Sequence, residues 1–319
     1  MKFLFLFLDG VGLGTDDPSV NPLVEARMPT LRRILGGKPL TARTAGSGPL
    51  EVDGATLWSI DARLGVKGRP QSATGQATLV SGINVPELLG RHHGPKPNGD
   101  IARILNEHNL FSAFTGNGAA AGFLNAFPPR YFDAIGSGLR LPGTLALAVT
   151  SAGLDLKTAD DLLEGRALSA DFTGQGWRED LGFPQVDLLM PYEAGRRLAG
   201  LARGYDFSLF EVWLTDYAGH RRDMKAACAI LETIDGVLDG LLESWNIEED
   251  LIFITSDHGN MEDLTTRSHT SHPVPALMIG PSQLRSRFSR GLKDLSDIAP
   301  RILSLYDLPE TRNEKRRPE

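Results

Sequence analysis

The sequence predicts an α/β fold built on a mostly parallel sheet flanked by helices, and three observations lead there. Phe3 to Leu8 is a continuous apolar run, the pattern of a strand covered on both faces. Further strand candidates alternate with segments of helical period, the order in which parallel sheets are wound. Three of these strands are expected to close on an acid beside glycine or histidine, and ligands of open α/β sheets bind outside the strands' carboxyl ends.

The elements follow in order. The first strand breaks into Asp9-Gly-Val-Gly-Leu-Gly14. Pro29 to Leu35 reads as a short helix stopped by Gly36-Gly37. Ser72 to Val80 turns helical at its far end, Ile101 to His108 is helix-like, and Phe111 to Thr115 is a strand candidate. Signals are mixed from Gly116 to about Pro191, with short helices such as Ala159 to Leu163. Order returns with a strand over Ser208 to Thr215, ending at Asp216. Asp223 to Trp245 carries Ala227, Ile230, Leu231, Ile234, Leu238, Leu241 and Leu242 at helical spacing, a long amphipathic helix. Leu251 to Thr255 and Val274 to Ile279 are strands, and Leu295 to Leu305 a closing helix. Asn313 to Glu319 is charged and expected to fray.

With 319 residues, no internal repeat and no low-complexity linker, the chain is expected to form one domain over 1–319, with a small lid around 120–190. Thirty-three basic against forty acidic residues give a net charge of -7, which argues against a nucleic-acid surface. No apolar run approaches the roughly 20 residues of a membrane span. The apolar block at the start ends on an acid without a small-residue cleavage site, so it reads as a strand rather than a signal peptide. The single cysteine, Cys228, excludes an internal disulfide and a thiolate metal cluster, and reads as a buried, inert thiol. A cytoplasmic protein is expected.

Asp9, Asp216 and Asp257, from three separate strands, can converge at one edge of the sheet, and the glycines beside them let the backbone approach a bound group. Turn residues at strand ends are the plain alternative, and one such site alone would carry little weight. The histidines accompany the acids: His220 lies four residues after Asp216, His258 follows Asp257, and His269 and His272 lie in Ser268-His-Thr-Ser-His-Pro-Val-Pro275. Imidazole and carboxylate without thiolate suit manganese or zinc, and three Asp with three His suffice for two divalent ions. Paired ions clamp the attacking and leaving oxygens of an in-line displacement. His108 reads as a solvated helix residue, and His92 and His93 as loop or substrate-facing.

Covalent phosphoryl transfer also needs a nucleophile. Ser72 and Thr74, in Arg69-Pro-Gln-Ser-Ala-Thr-Gly-Gln, lie on a turn opening into a helix, whose free N–H groups suit an alkoxide and a phosphate. An ordinary N-cap serine is the alternative.

Together the Asp9-Gly, Ser-Ala-Thr-Gly, Asp-x-x-Gly-His, Ser-Asp-His-Gly-Asn and His-Thr-x-x-Pro-Val-Pro segments resemble the alkaline phosphatase superfamily. Within it the motifs are most similar to cofactor-independent phosphoglycerate mutase and phosphopentomutase, over about residues 1–90 and 205–305. Asn21-Pro22 with Pro29-Thr-Leu31, and Gly219-His-Arg-Arg-Asp223, are part of that likeness. The resemblance implies one metal on Asp216, His220 and His269, and another on Asp9, Asp257, His258 and the Ser72 hydroxyl. It prefers His269 to His272, because the family's ligand lies five residues before the Val of Val-Pro. It also prefers Ser72, three residues before Gly75, to Thr74 as the nucleophile. Gly75-Gln76 replaces a Gly-His pair of the two mutases.

About 130 residues between the nucleophile and Asp216 leave room for a lid but hardly for a mutase cap, and the mutase's arginine cluster has no motif match. A phosphohydrolase acting on a small phosphorylated metabolite is therefore expected ahead of a phosphomutase. A phosphodiesterase shares the same metal cradle, and a sulfatase ranks last because Ser72 lacks the Cys/Ser-x-Pro-x-Arg context. A non-catalytic metal-stabilised binding protein is the alternative of another class. No nucleic acid or membrane partner is expected, and the sequence names neither the substrate-binding residues nor the oligomeric state.

Overall fold

The structure, a computed structural model, describes residues 1–309. The expectation for Asn313 to Glu319 lies outside the described residues.

Seven strands form one sheet: β1 (Phe3–Leu8), β2 (Leu50–Val52), β3 (Ala55–Ile60), β4 (Ala121–Phe123), β5 (Phe207–Val212), β6 (Leu251–Thr255) and β7 (Val274–Ile279). Their order is β2-β3-β7-β6-β1-β5-β4. β4, β5, β1 and β6 run parallel, as the sequence led one to expect. The other flank is antiparallel: β7 against β6 and β3, and β2 against β3. The sheet is thus mixed, with the parallel block at one side and its centre. Asp53-Gly54 joins β2 to β3 in a two-residue turn with Gly54 at φ +74°, a hairpin signal that the sequence reading passed over.

β1 sits at the centre between β5 and β6, which explains its unbroken apolar run. Phe3, Phe5 and Phe7 enter the core on one face, and Leu4, Leu6 and Leu8 the core on the other. Burying six such side chains contributes about 1.5–3 kcal/mol each. The pleat then fixes what lies beyond the strand ends. Alternation carries Asp9 to the Phe7 face, Asp257 to the Phe253 face and Glu211 to the Leu209 face, all the same side of three adjacent strands.

That side is covered by the Ser72–Ser81 helix, buried all round except at its end, and by Gly99–Glu107 and Thr144–Ser151. The opposite side is covered by Pro191–Ala202 and the long helix Met224–Ser244, which presents Ala227, Leu231, Ile234, Leu238 and Leu241 to the core. Asp223 caps that helix, accepting from Ala226 N at 3.0 Å. Its buried Asp235 accepts from Thr30 N and Leu31 N at 3.1 and 2.8 Å, so one helix caps the start of another, Pro29–Ile34.

Two expectations are corrected. Phe111 to Thr115 is not a strand but lies within the Leu110–Gly116 helix, because the Asn109 side chain caps it, accepting from Ser112 N at 3.0 Å. The strand expected over Ser208 to Thr215 ends at Val212, and Asp216 sits in the first turn of the Leu214–Arg221 helix. Cys228 is half-buried and packs against the core. Residues 124–190 make an excursion from the end of β4, with their own small cluster of Ala126, Ala159, Leu162, Ala167, Trp177 and Val186. Among the described residues, no helix is long and apolar enough to cross a membrane.

Candidate metal centre and nucleophile

At the carboxyl edge of β1, β5 and β6 the structure brings together Asp9, Ser72, Asp216, His220, Asp257, His258 and His269. Asp216 and His220 share one face of the Leu214–Arg221 helix, four residues apart, with His220 Nε2 3.1 Å from Asp216 Oδ2. His269 comes from the loop before β7, its Nε2 3.2 Å from His220 Nε2 and 3.7 Å from Asp216 Oδ1. His220 Nδ1 pairs with the Arg267 carbonyl at 2.6 Å and His269 Nδ1 with the Pro70 carbonyl at 2.8 Å. Each Nδ1 facing a carbonyl must carry the proton, so two Nε2 lone pairs point at one another and at a carboxylate. A cation between them resolves that arrangement, and backbone carbonyls are the usual outer partners of ligating imidazoles.

The second group forms around His258. Its Nε2 lies 3.0 Å from Ser72 Oγ, 3.4 Å from Asp9 Oδ1 and 3.5 Å from Asp257 Oδ2. Among the described residues, Asp9 Oδ1 and Asp257 Oδ2 are buried without a hydrogen-bond partner. Burial, then the charge of Asp257 and of Asp216, pushes the Asp9 carboxyl well above the ordinary range, and burial followed by Asp216 does the same to Asp257. Burial holds the His258 and His269 imidazoles neutral, pushing their pKa values down. Neutral nitrogens and crowded, orphaned carboxylate oxygens are what a divalent cation needs, and its charge reverses the repulsion. Asp216 lies within ligand distance of both groups: it clusters with His220 and His269, and also with Asp9 and His258.

Ser72 is the first residue of its helix, and the Gln71 side chain does not cap it. Its hydroxyl therefore meets the site beside free N–H groups and the positive end of the dipole. Thr74 is placed differently. It is fully buried, its Oγ1 donates to the Gln71 carbonyl at 3.1 Å, and it accepts from His93 N at 3.2 Å. That hydroxyl ties down the 91–98 loop and turns away from the site.

Sequence reasoning missed four supporting residues. Gln76 Nε2 donates to Asp9 Oδ2 at 3.3 Å. Asn260 Nδ2 donates to Asp216 Oδ1 at 2.7 Å. Ser256 Oγ accepts from Val11 N and donates to the His258 carbonyl, both at 2.9 Å. Glu262, almost fully buried, accepts from Gly12 N at 2.9 Å, Asn260 N at 2.8 Å and the Thr270 hydroxyl. His272 Nδ1 also reaches Glu262 Oε1, at 3.0 Å, and that contact raises the imidazole's pKa. His272 therefore stands one shell outside the ligand groups. His92 and His93 lie on the loop that crosses the nucleophile, and His108 is half-buried at the end of Gly99–Glu107 rather than solvated. The local signal for the missed set was the Ser256-Asp-His-Gly-Asn-Met-Glu262 string itself.

Residues 194–310 match the family model described as the Metalloenzyme superfamily, a span that holds Asp216, His220, Asp257, His258 and His269. The 2,3-bisphosphoglycerate-independent phosphoglycerate mutase of Cereibacter sphaeroides is 30% identical over 134 residues, covering 40% of this chain and 26% of its own. The same enzyme of Ruegeria pomeroyi is 32% identical over 134 residues, with the same coverages. The chain thus spans about a quarter of the length of the curated relatives it matches. Among solved folds, the PH0037 protein from Pyrococcus horikoshii superposes with a TM-score of 0.55 at 14% identity, over 96% of both chains. The alkaline phosphatase from the Antarctic bacterium TAB5 gives 0.53 at 12%, over 97% of this chain and 98% of its own. These likenesses establish an alkaline phosphatase-like fold, and they bear out the superfamily that the motifs resembled.

Proposed function

We infer that this alkaline phosphatase-like member of the metalloenzymes is a phosphoryl-transfer enzyme that uses Ser72 as its nucleophile and two divalent ions. One observation carries the reading: the Ser72 hydroxyl, at an uncapped helix start, lies 3.0 Å from His258 Nε2 within a set of carboxylates and imidazoles arranged for cations. Asp216, His220 and His269 would hold one ion, and Asp9, Asp257, His258 and the Ser72 hydroxyl the other. Nitrogen and oxygen donors favour Mn²⁺ or Zn²⁺. Bound there, the ions would neutralise charge on the transferring group and favour the Ser72 alkoxide.

In the reaction, Ser72 Oγ bonds to phosphorus as the bond to the substrate's alcohol oxygen breaks, and the departing alcohol leaves with the serine's proton. Water then breaks the phosphoseryl ester, yielding inorganic phosphate and restoring Ser72. The Ser72 and Ala73 N–H groups orient the phosphoryl oxygens, Thr74 N being taken by the His93 carbonyl at 3.0 Å. Gln76 and Asn260 hold the Asp9 and Asp216 carboxylates in place.

Hydrolysis is preferred to isomerisation because much of 124–190 joins the two main cores, through Leu145, Val149, Leu168 and Phe172 among others, which leaves one small satellite cluster to read as a lid on a single-domain chain. The stretch similar to phosphoglycerate mutases supports a mutase as the second reading. The substrate is taken to be a small phosphorylated metabolite in the cytoplasm, with no nucleic acid or membrane involved. Assay of phosphomonoesters with Mn²⁺ or Zn²⁺, with intact-mass detection of phosphoserine, tests the proposal. Metal bound at full occupancy without turnover of any ester would favour a binding protein instead.

A further inference from the structure

Away from the metal centre, a concentration of polar groups without partners lies at the start of the Thr144–Ser151 helix. Gly143 is its N-cap and supplies no side chain, so the first turn is uncapped. The Thr144 hydroxyl belongs to a residue 1% exposed and is buried with no hydrogen-bond partner among the described residues. The Tyr131 oxygen, on a residue 8% exposed, faces the Gly143 amide, and its O–H finds no acceptor among the described residues.

Two cations converge on the same place. Lys96 Nζ lies 3.8 Å from where a Cβ on Gly143 would be, and it has no hydrogen bond among the described residues. Burial and the nearby Arg140 charge push its ammonium pKa down, while Glu211 pulls it up. Arg140 lies over the Tyr131 ring, with Cζ 5.5 Å from the centroid. This cluster adjoins the reaction site on two sides. Gly94, two residues before Lys96, packs so closely that a Cβ there would sit 3.4 Å from Ser72 N. Glu211 faces both Lys96 and Asp9 from the end of β5.

We propose that Lys96, Tyr131, Thr144 and the first-turn amides of the Thr144–Ser151 helix bind a second anionic group of the substrate. That group is a carboxylate or phosphate on the molecule whose phosphoryl group reaches Ser72. The inference rests on the phosphoryl-transfer reading and narrows its substrate class to doubly acidic esters. An uncapped helix start attracts an anion, an ammonium without a partner supplies a charge-assisted bond, and two buried hydroxyls donate. Among the described residues Glu211 is the carboxyl that faces the cluster, and the Lys96 ammonium lies between it and the anion in charge terms. An ester with a neutral alcohol would leave Lys96 and both hydroxyls unpaired, which is how a polar pocket rejects the analogue lacking its partner.

The test compares 2-phosphoglycolate with ethyl phosphate on the metal-loaded full chain. The wild type is expected to favour the carboxylated ester by at least about tenfold in kcat/KM, through one charge-assisted contact. Lys96→Met and Thr144→Val should bring that ratio towards one, chiefly through KM. Equal losses on both esters, or an unaltered ratio, would overturn the proposal. Calorimetric titration with malonate gives a readout without turnover, with at least about tenfold weaker binding expected for Lys96→Met. Equal malonate affinity would also overturn it, as would faster ethyl phosphate hydrolysis when malonate is added, which would make this a site for free anions. Malonate binding that depends on Lys96, with neither ester turned over, would sink the phosphoryl-transfer reading and leave the anion site standing.

Discussion

Gly75 and Asp257 are in near contact: a Cβ added to Gly75 would lie 2.8 Å from Asp257 Cβ and 2.9 Å from its carbonyl oxygen. The helix carrying Ser72 is seated directly on a carboxylate proposed to hold metal, and only a residue without a side chain permits it. Gly75→Ala is therefore expected to shift Ser72 away from His258. A displacement near 1 Å costs on the order of a hundredfold in rate. Steady-state kcat beside a melting curve checks this; full activity in the variant would show that the contact does not set the nucleophile's position.

Ser72 and Thr74 should separate cleanly. Ser72→Ala is expected to lose several orders of magnitude in kcat and to leave the fold intact. Thr74→Val removes bonds that tie Gln71 and His93 together, so its cost should appear in stability, at about 1–3 kcal/mol for the buried groups left unpaired. Mapping the phosphorylated residue by mass spectrometry decides between them, and phosphate on Thr74 would reverse the assignment.

Metal content should discriminate the two loop histidines. His269→Ala removes an Nε2 3.2 Å from His220 Nε2 and is expected to lose one ion per chain. His272→Ala removes only a contact to Glu262 and should retain both ions. Elemental analysis after dialysis reads the outcome, and the opposite pattern would exchange their roles.

Glu262 is expected to matter to stability more than its distance from the nucleophile implies. Glu262→Ala would leave Gly12 N, Asn260 N and the Thr270 hydroxyl buried and unpaired. Unfolding in urea should show a loss of about 3 kcal/mol or more, at 1–3 kcal/mol for each orphaned group. A loss under about 1 kcal/mol would mean that water replaces the carboxylate.

Glu211 makes a pH prediction. Burial raises its carboxyl from an ordinary 4.5 to about 7 in the folded chain. The folded state keeps a proton that the unfolded state gives up, so this contribution is complete below the unfolded value and is lost as pH rises through about 7. Glu211→Gln carries no such term. Relative to wild type, the variant should gain stability between about pH 5 and pH 8, measured by urea unfolding at both. A constant difference would show that Glu211 is already ionised throughout.

Patterns confined to a few neighbouring residues were readable from the chain. β1, β6, β7 and the Met224–Ser244 helix follow directly from their periodicity, because burial on one face or two writes itself into adjacent residues. Phe111 to Thr115 was not readable, since a five-residue apolar run fits strand and helix equally and the Asn109 cap decides. Asp216 was placed at a strand end although its four-residue spacing to His220 already spoke for a helix. Glu262 eluded the reading because Gly12, 250 positions away, is what makes its carboxylate structural. Glu211 eluded it for the same reason: an acid within an apolar strand shows its neighbours only once β1 lies beside it.

The central place of β1 also has a consequence for how the protein is made. Both of its hydrogen-bonding edges belong to strands that begin at Phe207 and Leu251, about 200 and about 250 residues later in synthesis. At 5–20 residues per second the nascent chain carries an unpaired, wholly apolar strand for on the order of 10–40 s. Helices downstream of Ser72 can form meanwhile, whereas the sheet closes only when β5 and β6 arrive on either side of a strand translated first. Shielding of Phe3 to Leu8 during translation, by a chaperone or by provisional contacts, is thus expected to raise the yield of folded protein, and slower translation lengthens that exposure.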